Sequence, residues 1–141
     1  MLCLRGLIFM HIVYRVEVDI GNDRKVGPYL AEFHTHDEDI KTMCRYFRSN
    51  APWMPEPEHS SFSTGIPYFV IFGCTSPLQL FEWFGFDKMF LRKILTVFKI
   101  SVYNAAVIYE CDKQVAFDED SEFVKTLSFD EFCALLKDNF C

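Results

Sequence analysis

The stretch Tyr68-Phe69-Val70-Ile71-Phe72-Gly73-Cys74-Thr75-Ser76-Pro77-Leu78-Gln79-Leu80-Phe81-Glu82-Trp83-Phe84 decides the fold class. Residues 68–72 are apolar without alternation, the mark of a strand buried on both faces, and they predict a central strand over 68–73. Gly73-Cys74-Thr75 turns the chain. Ser76 and Gln79 then stand at the two ends of a capping box, with Pro77 at the first helical position. The helix that follows, to about residue 85, has only Gln79 and Glu82 as a polar strip, so most of its surface must be covered. A buried strand feeding a capped helix needs further strands beside it and further helices above it.

Both are present on either side. Ile12, Tyr14, Val16 and Val18 alternate with Val13, Arg15, Glu17 and Asp19, which predicts a strand over 12–18. Gly21-Asn22-Asp23 and Gly27-Pro28-Tyr29 break the chain. Thr35 and Glu38 read as a capping box for a helix over 36–48, whose apolar face is Ile40, Met43, Cys44 and Phe47. Asp87 caps a helix over 88–97. Residues 100–109 form the longest strand candidate, and Glu110-Cys111-Asp112-Lys113 returns it as a hairpin to a strand over 114–118. Ser128 and Glu131 form another capping box, ahead of a helix over 128–139 with Phe129, Phe132, Cys133, Leu136 and Phe140 on its apolar face. The expected architecture is a single α+β domain spanning 1–141, with a mixed, mostly antiparallel sheet and about four helices. Residues 49–67 carry four prolines and read as a long loop of the lid or binding type. Residues 1–9 read either as an extension ahead of a start at Met10 or as the lead into a strand beginning near Leu7. Residues 118–141 read as an acidic, helical C-terminal segment.

Composition narrows the function. The chain has 141 residues, half of them hydrophobic and 17% aromatic, with 16 Phe, so it is neither disordered nor a coiled coil. Its formal charge is −6, from 14 Lys and Arg against 20 Asp and Glu. Residues 1–109 are balanced, and the whole deficit lies in residues 110–141. A general nucleic-acid surface, which needs clustered positive charge, is therefore not expected. Lys88, Arg92, Thr96 and Lys99, with Lys93 beside them, form a polar stripe opposite Phe90, Leu91, Ile94 and Leu95. The stripe reads as a solvated helix face that the acidic segment neutralises, the alternative being contact with a phosphate or an acidic partner. The six Cys are scattered without a CxxC pair, as suits a reduced intracellular protein. No apolar run reaches the roughly 18 residues of a membrane span.

Catalytic motifs are few. There is no G-x-S-x-G, P-loop or Rossmann glycine pattern. His34 and His36 lack a third ligand at suitable spacing, so a polar helix entrance is favoured over a metal site, and no metal is expected. Cys74, at a strand-to-helix turn, has its thiol pKa lowered if exposed there; burial under the strand is the favoured reading.

An ordered set of short motifs carries a resemblance. Tyr14-Arg15-Val16-Glu17, Gly27-Pro28-Tyr29, Phe72-Gly73 with Ser76, Gln79-Leu80 and Trp83-Phe84, and finally Gln114-Val115-Ala116-Phe117 together resemble small phage and prophage proteins over about residues 12–117. More distantly, the chain resembles the ADP-ribosyltransferase fold. Arg15 matches its first-strand arginine, and Cys74-Thr75-Ser76 matches its Ser-Thr-Ser-like strand end. Gln114 stands where that family has a glutamate. That resemblance implies a cofactor cleft in which Arg15 holds the NAD phosphates, Thr75 or Ser76 holds the ribose, Tyr29 forms a wall, and Gln114 or Glu110 orients the acceptor. Neutral Gln114 cannot support a developing oxocarbenium ion as a carboxylate does. The favoured reading is therefore non-enzymatic and cofactor-free: a phage-type protein in the host cytoplasm that binds a host or phage protein, inhibition of the partner being one such role. NAD-dependent ADP-ribosyl transfer is the alternative. The aromatic surplus after residue 68 is either covered by the loop 49–67 or left as a contact patch.

Overall fold

A computed structural model describes residues 10–22, 24–28, 31–50, 70–110 and 114–140. In chain order the elements are β1 (Met10–Asp19), β2 (Lys25–Val26), a 3-10 turn (Ala31–Phe33), α1 (Glu38–Asn50), β3 (Val70–Gly73), α2 (Pro77–Trp83), α3 (Lys88–Ile94), β4 (Lys99–Glu110), β5 (Val115–Asp118), β6 (Glu122–Leu127) and α4 (Phe129–Phe140). The expected α+β class, with four helices and a mostly antiparallel sheet, is what the chain forms. Most of the loop expected at 49–67 lies outside the described residues, as do residues 1–9, and Ser49 and Asn50 close α1.

The sheet runs β2-β1-β4-β5-β3, and every ladder in it is antiparallel. β4 is the spine. One edge pairs with β1 from Met10↔Ala106 to Glu17↔Lys99. Its other edge is shared, β5 taking the end near Val107–Glu110 and β6 the stretch Ile100–Asn104. The sheet then curls until β3 returns to β1. Tyr14 N–H donates to the Cys74 carbonyl at 2.7 Å, and Cys74 N–H donates to the Tyr14 carbonyl at 2.8 Å.

Two expectations are corrected here. β3 is not central: its ladder is to β5, and only the short bridge at Cys74 meets β1. Its apolar run arises because the curled sheet places one of its faces inside. The C-terminal segment is not wholly helical either. β6 was not expected, because Glu122 to Thr126 are exposed and its charges hide the strand pattern. Among the described residues it pairs with β4. Boundaries also move. α3 stops at Ile94, and Leu95–Val97 continue as turns. α1 is capped by Asp37, whose Oδ1 accepts from Asp39 and Ile40 N–H, while Thr35 Oγ1 accepts from Asp37 N–H one step earlier. The Asp87 and Ser128 caps stand as read; at α2 Ser76 caps as expected, while Gln79 Oε1 accepts from Thr75 N–H, one residue ahead of the bond a capping box makes. Ser76 Oγ accepts from Gln79 N–H and Asp87 Oδ1 from Phe90 N–H. Ser128 and Glu131 bond reciprocally, and those bonds hold the exposed Glu131 carboxyl below its usual range.

Alternation along β1 and β4 sends side chains to two cores. Val16, Ile100 and Val102 face the helices and join Phe47 of α1, Leu80, Phe81 and Phe84 at α2, Phe90, Leu91 and Ile94 of α3, and Phe132 and Leu136 of α4. At its centre Phe47, Phe84 and Phe90 meet pairwise, each pair of ring centroids 5.9 Å apart. Burial of rings of this size stabilises by about 1.5–3 kcal/mol apiece. Cys44 is buried in this layer, and burial pushes its thiol up to about 11 against the opposing charge of Arg45. The other face forms a smaller core inside the curl, of Val13, Tyr103, Ala105, Val115 and Phe117 with Ile71 and Val107 against it.

The close approach of β3 to β1 needs Gly73. A Cβ there would stand 2.7 Å from Val13 Cγ1, 2.8 Å from the Tyr14 carbonyl oxygen and 3.1 Å from Phe117 Cε1. Two of those neighbours are buried side chains and one is backbone, so none can yield cheaply. Gly73→Ala should therefore cost about 1–3 kcal/mol, the usual range for overpacking. Urea unfolding should show a lower midpoint with an unchanged slope, and an unchanged midpoint would contradict the close approach.

Candidate functional site

Two places carry side chains that packing alone does not account for: the polar end of the curl's interior and the turn between α2 and α3.

Inside the curl, β1 sends Val13, Arg15 and Glu17 inward in succession. Val13 joins the small apolar core. Arg15 and Glu17 form a polar cluster beside it. Arg15 Nε donates to Glu17 Oε1 at 2.9 Å, and Tyr103 Oη donates to Glu17 Oε2 at 2.5 Å. Arg15 also donates from a terminal nitrogen to the Phe72 carbonyl at 2.7 Å, which ties β1 to β3 next to the backbone bridge. The other terminal nitrogen lies 3.3 Å from where a Cβ on Gly27 would be, so the Gly27-Pro28 break makes room for the guanidinium. Glu17 is only 2% exposed, and both its oxygens have partners. Burial first, and then the bond to the Glu17 carboxylate, push the Tyr103 phenol above its ordinary pKa, with Arg15 opposing. A cavity of about 730 Å3 opens beside this cluster, with Arg15, Glu17, Tyr103, Gln114, His34 and Trp83 among its walls.

The residues expected to form a cofactor site do not all meet there. Arg15 and Gln114 line the one cavity, and Gln114 is 3% exposed. Ser76 and Thr75 serve the start of α2 instead. Ser76 Oγ caps the helix, and Thr75 N–H donates to Gln79 Oε1 at 2.7 Å. Glu110 is exposed at the far end of β4. Tyr29 lies outside the described residues. His34 Nδ1 sits 3.2 Å from an Arg24 terminal nitrogen, His36 is exposed, and the described residues hold no group of three potential metal ligands. Cys74 is buried, as the sequence favoured. Among the described residues, no helix is long and apolar enough to cross a membrane.

Of the second place, sequence reasoning named the cationic stripe of Lys88, Arg92 and Lys93 but not the turn ahead of it. α2 ends in a Schellman motif: Phe86 N–H donates to the Phe81 carbonyl and Gly85 N–H to the Glu82 carbonyl, both at 2.9 Å. Gly85 takes the left-handed conformation this requires, at φ +68°. Phe86 follows at φ +58°, where a bulky residue is rare. Its ring leans edge-on against Phe81, centroids 5.6 Å apart, yet Phe86 remains 55% exposed and Met89, one turn on, 73%. Lys88, Arg92 and Lys93 are exposed beside them, and a groove of about 500 Å3 between α1 and α3 is lined by Tyr46, Met89, Phe90, Arg92, Lys93, Asp87 and Thr96. The signal in the sequence was the triplet Phe84-Gly85-Phe86 directly after a capped helix.

A family model described as the bacteriophage T4 Y00F protein matches residues 9–130. The chain belongs to that family. The matched span takes in all six strands and α1 to α3, so the curl, its polar cluster and the Phe86 turn all lie within it. The expectation of a small phage protein is met at this level. No curated protein and no solved structure matches the chain. The ADP-ribosyltransferase likeness finds no support among these comparisons. Arg15 is engaged inside the sheet, and Thr75 and Ser76 are engaged by a helix cap.

The cluster yields a pH-dependent prediction. A phenol with a raised folded pKa stabilises fully below the unfolded value near 10 and loses that contribution as pH climbs beyond it. Stability should therefore fall above about pH 10. Tyr103→Phe should flatten that fall, and at pH 7 it should cost about 1–3 kcal/mol by leaving a buried carboxylate oxygen short of a donor. Equal alkaline slopes for the two proteins, followed by circular dichroism, would contradict the cluster.

Proposed function

We propose that this phage protein works in the host cytoplasm by binding another protein, host or phage, through the α2–α3 turn, and that binding inhibits the partner. The observation that carries the reading is Phe86. A non-glycine residue in the left-handed region costs about 1–2 kcal/mol, and an edge-on aromatic pair returns about 0.5–1.5 kcal/mol. The two roughly offset, so folding gains little from a phenylalanine here. Glycine or asparagine would meet the backbone's demand more readily. A half-exposed ring held in a costly conformation, beside an exposed methionine and three cations, fits a contact point better than a packing element.

The competing reading, ADP-ribosyl transfer from NAD, requires Arg15 to leave both Glu17 and the Phe72 carbonyl to take a phosphate. Saturating NAD would raise stability by about 2.7 kcal/mol at a hundred times its dissociation constant.

The test uses the double variant Phe86→Gly/Met89→Ala. Its stability should stay within about 1 kcal/mol of wild type, as surface changes do. Affinity-tagged wild-type protein, expressed during infection, should retain a host or phage protein that the variant loses by at least tenfold. Equal retention by both proteins, or a thermal shift and NAD turnover by the wild type, would overturn the reading.

A further inference from the structure

Resting on that reading, we infer that the segment docking on the α2–α3 face is an acidic stretch of polypeptide carrying a bulky apolar side chain, which enters the groove between α1 and α3.

The inference starts from charge placed against the general balance. The chain carries −6 overall, yet α3, seven residues long, presents Lys88, Arg92 and Lys93 to solvent. Among the described residues none of these three forms a close ion pair. Two of them lie over rings of the fold: Lys93 Nζ is 5.6 Å from the Tyr46 ring centroid, and the Arg92 guanidinium 5.8 Å from that of Phe129. The helix dipole accounts for Arg92 and Lys93, which occupy the last turn. It does not account for Lys88. A cation at the first helical position opposes the dipole, where an acidic residue is the stabilising choice. Lys88 thus sits where local electrostatics disfavours it, next to Met89, the most exposed large apolar side chain among the described residues.

The groove has the matching form. Met89, Phe90 and Tyr46 give it an apolar lining, with Arg92 and Lys93 also along it. Asp87 lines it too, and its Oδ1 is already committed to the α3 cap. Apolar surface ringed by unpaired cations suits an apolar anchor flanked by carboxylates, because the charges steer the approach and the anchor sets the lifetime.

Two other occupants fit less well. Nucleic acid would meet Phe86 and Met89 among the cations, on a protein whose net charge repels a long polyanion. A second copy of this chain offers Glu119 to Val124, acidic with exposed Phe123. That ring is already covered by Lys25 Nζ at 3.7 Å from its centroid and packed on Tyr103 at 5.8 Å.

The probe is a random twelve-residue peptide library displayed on yeast and selected on the whole protein. Enriched peptides should be rich in Asp and Glu around one large apolar residue. Their affinity should fall at least tenfold on Phe86→Gly/Met89→Ala. It should fall as far on Lys88→Glu/Arg92→Glu/Lys93→Glu, each variant checked for an unchanged unfolding midpoint, and with rising salt. Peptides lost on the apolar variant but indifferent to charge reversal would overturn the acidic partner and leave the docking face standing. Peptides indifferent to both would overturn the face as well. Failure to enrich any peptide, displacement of bound peptide by duplex DNA, or self-association in light scattering that the charge reversal abolishes would each overturn the inference.

Discussion

The fold depends on the meeting of Tyr14 and Cys74. Two backbone hydrogen bonds, at 2.7 and 2.8 Å, bring the last strand of the sheet path back to β1. Each contributes only about 0.5–1.5 kcal/mol net. Their larger effect is geometric. They turn an open sheet, which would present the edge of β3 to solvent, into a curl with an inside and an outside. Gly73 permits the approach, and the Arg15 bond to the Phe72 carbonyl fastens it from within.

The rest follows from having two faces. Among the described residues the outer face receives the four helices and most of the aromatic side chains, with Phe47, Phe84 and Phe90 meeting at its centre. The inner face is too narrow for a large core, and it divides into an apolar part around Val13 and Phe117 and a polar part around Glu17. A buried ion pair adds little to stability in general, because desolvation offsets the attraction. Here every polar atom of the Glu17 carboxylate is satisfied, so the cluster fixes how the strands close. The surface turn at Phe86 stands on this frame. α2 begins directly after the Cys74 bridge, so the strand closure also positions the helix whose end displays Phe86.

Much of this was legible in the sequence. The period-two pattern of residues 12–18, the capped starts of α2, α3 and α4, and the long strand after residue 99 are local signals, and they placed the elements. The closure was not legible, because it joins residues 60 positions apart through backbone atoms that carry no sequence signature. The unbroken apolar run at 70–72 looked central, yet Ile71 and Phe72 are only half-buried and the strand's ladder is to β5. β6 escaped because exposed edge strands carry charges in place of alternation. Of the site, Glu17 was visible only as part of an alternation, and Arg15 also as the match to a first-strand arginine. Their inward direction comes from the curl, which brings Arg15 against Glu17 and the Phe72 carbonyl. The aromatic surplus was expected either under the loop 49–67 or as an exposed contact patch. Its location needed the geometry of a single turn, in which Gly85 supplies the left-handed step and Phe86 follows it.

The most direct test of the closure is hydrogen exchange at the Tyr14 and Cys74 amides. Both face a partner strand only if the curl is closed. The predicted result is that both exchange solely through global unfolding, with the same protection as the Val102 amide at the centre of β4. Exchange of Tyr14 and Cys74 orders of magnitude faster than Val102, as at an open strand edge, would contradict it.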